Sequence, residues 1–162
     1  MSTTQARSSS TGQAVARARW SWTPVWPVVR LIGALALLSV GAVHLQQYDR
    51  LYSAVPTIGP LFLLNFAAAT ALGLALLSPL GRWAGRWGGL LVTLAAAAGV
   101  ALAAGTFVML TIAEHRPLFG FQEPGYDPAG IAASRGAEIA TVVLLGLYLG
   151  ARLAGRAPIR RW

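Results

Sequence analysis

The chain has 162 residues, of which 56% are apolar and 11% charged, with a formal net charge of +8 and no cysteine. Soluble domains carry about a quarter charged residues, and a mean hydropathy of +0.58 requires lipid around the apolar surface. An ordinary soluble enzyme is therefore excluded, as are disulfides, thiolate nucleophiles and Cys-ligated zinc or iron–sulfur sites. All thirteen basic residues are arginine.

Residues 1–22 are rich in Ser, Thr and Arg, too polar to bury a core, and are expected to form a disordered basic tail. A four-span membrane domain is expected over 23–154, each span near the roughly 20 residues a helix needs to cross a hydrocarbon core of about 30 Å. The first span covers about 28–45, introduced by Thr23, Pro24 and Pro27, with Arg30 one turn in, where its guanidinium can reach back to the interface. The second covers about 58–77; Thr57 is its expected N-cap, Pro60 fits the first turn, and Ser78-Pro79 ends it. The third, about 88–113, exceeds a perpendicular crossing and stops at Glu114-His115-Arg116-Pro117. In the fourth, about 130–152, Asp127-Pro128 reads as N-cap and first helical residue, while Ser134, Arg135 and Glu138 interrupt the early turns. Residues 155–162 form a basic C-terminal segment.

Ten of the thirteen arginines fall on one side of these spans, with all six tryptophans. The other side holds Arg50, Arg116, Arg135 and every acid: Asp49, Glu114, Glu123, Asp127 and Glu138. Arginine excess on short connections marks the cytoplasmic face, so both termini are expected inside. A cleaved signal peptide or an organellar transit peptide is the alternative for the N-terminal segment. Against the first, the apolar run is longer than a signal-peptide core and no Ala-x-Ala site follows promptly.

Polar residues inside the spans are the candidate functional groups. With a rise of about 1.5 Å per residue, His44 falls roughly 6 Å below the acid-bearing edge, Glu138 about 9 Å, and Asn65 and Thr106 about 10 Å, each on a different span. A charge at the bilayer centre costs about 2.5–3.5 kcal/mol on insertion scales, so these groups are expected to face inward and share a polar pocket. Glu138 shares a helix face with Ser134, Thr141, Val142 and Leu145. Three readings stay open: a buried network that sets helix register, with His44 or Arg135 neutralising Glu138; a pocket for a proton, small molecule or lipid headgroup; or a cofactor site. For the last, His44 and His115 are the only histidines and the conceivable axial ligands of a haem. Glu114 and Glu138 would complete a zinc or copper site with them, although no HxxxH or HxxE spacing marks one.

The connection between spans two and three carries Gly81-Arg82-Trp83 and Gly85-Arg86-Trp87, and the sequence closes on Arg160-Arg161-Trp162. Arg and Trp together suit anionic headgroups, so these seven Arg and Trp residues read as lipid anchors, and topology accounts for the positive charge without a nucleic-acid partner. Gly146 and Gly150, followed by Ala154, form a small-residue face suited to close helix packing. Packing inside the bundle is the first expectation, against Ala95 to Ala98, Gly99 and Ala103; a homodimer or another membrane protein is the alternative. The aromatic connection from Leu118 to Tyr126 is expected to rest in the headgroups rather than fold over the polar residues.

The stretch Gly41-Ala42-Val43-His44-Leu45, then Tyr48, then Pro56 through Asn65, resembles a pattern in small four-span membrane proteins of actinobacteria. The resemblance covers the first two spans and implies a bacterial plasma membrane, with no catalytic residue to carry over; Phe119-Gly120-Phe121-x-Glu123 and Glu138 fit it less specifically. The expected fold is an all-α four-helix transmembrane bundle. The expected function is a non-enzymatic accessory or binding component whose pocket is lined by His44, Asn65, Thr106 and Glu138. The competing class is a transporter or redox subunit in which Glu138 and His44 relay protons or hold a metal or haem.

Overall fold

In hydrocarbon every backbone N–H and C=O must be bonded within its own segment, so long runs of Leu, Ala, Val and Gly have no alternative to helix. The computed structural model describes residues 25–155, and four long helices account for most of them. They are α1 (Val25–Gln47), α2 (Ile58–Leu77), α3 (Gly88–His115) and α4 (Pro128–Leu153). Each is long and apolar enough to cross a membrane, and together they form an all-α bundle. Two short helical turns, Leu80–Trp83 and Gly85–Trp87, join α2 to α3.

The helix ends show where local chemistry decides. Asp127 caps α4 as its position predicts, accepting the Gly130 N–H at 3.0 Å ahead of Pro128. Thr57 takes the N-cap position of α2 but makes no side-chain capping bond. Its backbone lies at φ +66°, and carbonyls of the preceding turn serve instead: Pro56 O accepts from Ile58 N at 2.8 Å and Val55 O from Gly59 N at 3.0 Å. Beyond Gln47 the chain continues through a wider π-type turn, Tyr48–Tyr52, in which the Ser53 N–H reaches Tyr48 O at 2.9 Å. The extra residue in that turn shifts the helical phase, and Tyr52 is buried.

The four helices form a ring in which α1 packs on α4 and α2, while α3 packs on α4 and, less extensively, on α2. Lipid tails are as apolar as leucine, so close contact rather than hydrophobic gain must hold such a ring. Small residues allow it: a Cβ added at Gly33 would come within 2.6 Å of Leu145, and one at Gly73 within 2.7 Å of Leu38. Towards the arginine-rich end the interior is apolar, filled by the fully buried Leu37, Leu76, Leu145 and Ala96. The outward faces carry Leu35, Leu64, Leu94 and Leu147, each half exposed or more, as a lipid-facing surface should be.

One packing expectation is corrected. Gly146 and Gly150 meet nothing within 4 Å inside the chain, whereas Gly99 packs on Leu37 and Leu145. The reason is rotational: α4 turns its Glu138–Leu145 face inward, which leaves the glycine face outside beside Trp26 and Val143. At the arginine-rich end Trp83 and Trp87 are exposed, and the Arg86 guanidinium lies over the Trp87 ring at 5.2 Å. The basic tail of residues 1–22, the Arg82 side chain, and the C-terminal Arg160, Arg161 and Trp162 lie outside the described residues.

Candidate functional site

At the acidic end the bundle holds a partly open cavity of about 120 Å³. Its composition changes with depth. Following each helix inward from the acidic end, the last residue to line it is Asn65 on α2, Thr106 on α3 and Glu138 on α4; on α1, His44 is followed only by Val43. Above this polar floor the walls are apolar, formed by Leu61, Phe62, Met109, Leu110 and Ile131. The four polar residues that depth along the sequence groups together thus line one cavity, one from each helix.

The floor is deeply buried and incompletely bonded. Glu138 is 1% exposed, Asn65 4% and His44 8%. The Ser134 hydroxyl donates to Glu138 Oε1 at 3.1 Å, while Oε2 is buried without a partner. Neither the Oδ1 nor the Nδ2 of Asn65 has a partner either. His44 Nδ1 lies 2.9 Å from the Val40 carbonyl. A carbonyl only accepts, so Nδ1 carries the hydrogen and Nε2 is left as an acceptor. The Thr106 hydroxyl donates into its own helix, to Leu102 O at 3.0 Å, and lies beside the Glu138 carboxylate. A buried polar group left without a partner costs about 1–3 kcal/mol, and three such atoms, on Asn65 and Glu138, belong to residues lining one cavity.

Arg135 does not neutralise Glu138. Its guanidinium forms an ion pair with Glu114 on α3, which ties α3 to α4 beside the cavity. That pairing also dissolves the candidate metal set. Glu114 is committed to Arg135, and His115 is exposed with its Nδ1 on Thr111 O at 2.7 Å, leaving only His44 and Glu138 in the cavity. Among the described residues no three His, Cys, Asp or Glu side chains converge. His44 and His115 do not face one another across a common site, as bis-histidine haem ligation requires, because His115 ends α3 on an exposed face.

The connection between α3 and α4 folds back over the cavity instead of spreading into the headgroups, and Leu118, Phe119, Phe121 and Glu123 line it. Leu118 and Phe121 exchange backbone bonds of 2.7 and 3.0 Å, and the Glu123 N–H donates to Ala113 O at 2.9 Å. The buried Glu123 carboxylate explains the fold-back. Its Oε2 accepts from the Tyr52 hydroxyl, and its Oε1 accepts from the N–H groups of Gly125 at 2.8 Å and Tyr126 at 3.2 Å. The rings of His44, Phe62, Tyr52 and Phe121 stack in sequence from floor to lid, with centroids 5.1, 4.8 and 5.7 Å apart.

A second tie lies beside the first. Gln47 Nε2 donates to Asp127 Oδ2 at 2.7 Å, and a Cβ at Gly130 would fall 1.9 Å from that amide nitrogen, so glycine makes room for the bond. The Gly130 N–H, then the Gln47 amide and the Arg50 charge, hold the Asp127 carboxyl below the usual carboxylate range. Gln47, Tyr52 and Glu123 belong to the site and were not singled out by the sequence. The only signal for Glu123 is an acid flanked by Phe121 and a Pro-Gly turn, and nothing local announces the π-type turn that brings Tyr52 inward.

Fold and cavity define an integral membrane protein of four spans that encloses a small, lidded, polar-floored chamber. No family model, curated protein or solved structure matches the chain, so its function is read from the chemistry of that chamber.

Proposed function

We propose that this protein is a non-enzymatic binding component of a bacterial plasma membrane, with both termini cytoplasmic, that takes a small molecule into the chamber from the outer face. The observation that carries the reading is the convergence of buried, partnerless polar atoms of Asn65 and Glu138, from two helices, on one cavity with apolar walls. Ligand sites have this composition, mostly apolar with a few placed polar groups. The volume is comparable to engineered cavities of about 150 Å³ that bind benzene. The fully buried Leu37, Leu76 and Leu145 below the floor favour binding over passage through the bundle.

The absence of native cysteine makes a single-cysteine test clean. Leu110→Cys places a thiol in the chamber wall. A small neutral methanethiosulfonate should modify it, and benzyl alcohol or benzylamine should slow the reaction without slowing it at a lipid-facing Leu147→Cys. A Leu110→Cys thiol that is protected by neither compound would overturn the binding reading. Sidedness is tested with a membrane-impermeant reagent on intact cells: Gln122→Cys should react and Gly85→Cys should not, and the reverse pattern would overturn the orientation.

A further inference from the structure

The geometry points to a small primary amine, an ammonium head on an aromatic or short alkyl body, as the molecule that the chamber holds. This rests on the reading of the chamber as a binding site and follows from the hydrogen-bond inventory of its floor. Apart from the Asn65 amide N–H groups, the donors there are engaged: Ser134 with Glu138, Thr106 with its own helix beside the Glu138 carboxylate, and Tyr52 with Glu123. The acceptors are not. Glu138 Oε2 and Asn65 Oδ1 are buried without a protein donor, and His44 offers Nε2 once Nδ1 is committed to Val40. An ammonium group supplies three hydrogens for these three acceptors, and the Asn65 amide N–H is the floor donor it leaves unmatched.

Charge leads to the same class. The ionisable groups around the floor are Glu138, His44, Glu123 and Arg135. Arg135 is held by Glu114 and Glu123 by three donors, so Glu138 is the cavity carboxylate held by neither an ion pair nor a full set of donors. An anionic head would meet that carboxylate, and a neutral alcohol would supply one hydrogen where three acceptors wait. The walls suit the rest of the molecule. Phe62 and Tyr52 line the chamber between floor and lid, an aromatic wall that accepts an apolar body. A chamber of about 120 Å³ suits a small body on the scale of a single aromatic ring.

The test uses the full chain carrying Leu110→Cys in nanodiscs free of amine-bearing lipids, with the thiol reaction as readout. At neutral pH benzylamine should protect at a concentration about tenfold below that of benzyl alcohol, and benzoate should protect least, a tenfold step being about 1.4 kcal/mol. Adding Glu138→Gln should remove the amine's advantage while protection by benzyl alcohol persists. A readout that needs no second variant is the same comparison above the pKa of benzylamine, where the advantage should vanish as the amine loses its charge. Equal protection by amine and alcohol, or an advantage that survives both Glu138→Gln and amine deprotonation, would overturn the amine assignment and leave the binding reading standing. Protection by neither compound would overturn the binding reading itself.

Discussion

Tyr52 donates its phenolic hydrogen to Glu123, 71 residues further along the chain, and this bond fastens the α3–α4 connection across the chamber. Tyr52 also packs edge-on against Phe121 and beside Phe62, so one side chain links lid, wall and latch. Tyr52→Phe keeps the ring and removes the latch. A hydrogen bond to a charged group contributes about 1.5–3 kcal/mol, so lid opening should become at least tenfold more frequent. Faster hydrogen exchange at residues 118–126, with exchange in α2 unchanged, is the expected result; unchanged exchange at 118–126 would show that the latch carries no weight.

The Asn65 side-chain amide is buried with no hydrogen-bond partner among the described residues. Asn65→Leu removes that desolvation burden and should stabilise the protein by about 1–2 kcal/mol, since the apolar isostere leaves no orphaned donor or acceptor. A substitution that raises the unfolding midpoint while weakening protection of the Leu110→Cys thiol would carry the signature of a site kept for function at a cost in stability. If Asn65→Leu destabilises, an unseen partner satisfies the amide, and its role is structural.

Asp127 gives the stability a defined pH dependence. Its carboxyl is depressed by the Gly130 N–H, then by Gln47 and Arg50, so the folded state holds the ionised form more firmly than the unfolded chain does. Stability from this group is present above the unfolded value of about 3.9 and is lost as pH falls through the lower, folded value. Asp127→Ala should therefore be less stable than the native chain at neutral pH, and the difference between their melting temperatures should narrow on acidification below about pH 4. A difference that is constant from pH 7 to the acid limit would mean that the charge contributes nothing.

Two glycines on the same helix should respond in opposite ways. Gly130→Ala drives a methyl group into the Gln47 amide at 1.9 Å and must break the tie to Asp127 or move α1. Overpacking of this kind costs about 1–3 kcal/mol. Gly146→Ala meets nothing within 4 Å and should leave the isolated chain as stable as before. Thermal unfolding in detergent checks both. A loss of self-association in Gly146→Ile, read by crosslinking in membranes, would show that a second copy covers this outward face.

How much of this was legible in the sequence depended on the range of the physics involved. Hydrocarbon forces long apolar runs into helices, so the second span was readable to its ends, Ile58 and Leu77, and the cap at Asp127 followed from two neighbouring residues. Depth along a helix is also linear in residue number, which is why His44, Asn65, Thr106 and Glu138 could be grouped before any coordinate was known. Rotation about the helix axis is another matter. The partner of Arg135 could be Glu138 on its own helix or Glu114 on the next, and spacing does not choose between them; the packing of α3 against α4 selects Glu114 and leaves Glu138 unpaired.

The sequence by itself determined the solvent, the number of crossings and the level at which polar groups sit, because each depends on composition and on rise per residue. Only the tertiary structure decided which faces point inward. That choice leaves the Gly146–Gly150 stripe outside, closes the α3–α4 connection over the chamber through Tyr52 and Glu123, and turns four isolated polar residues into the floor of one cavity. The deciding interactions join residues far apart in the chain, and their outcome rests on the mutual packing of four helices rather than on any local pattern.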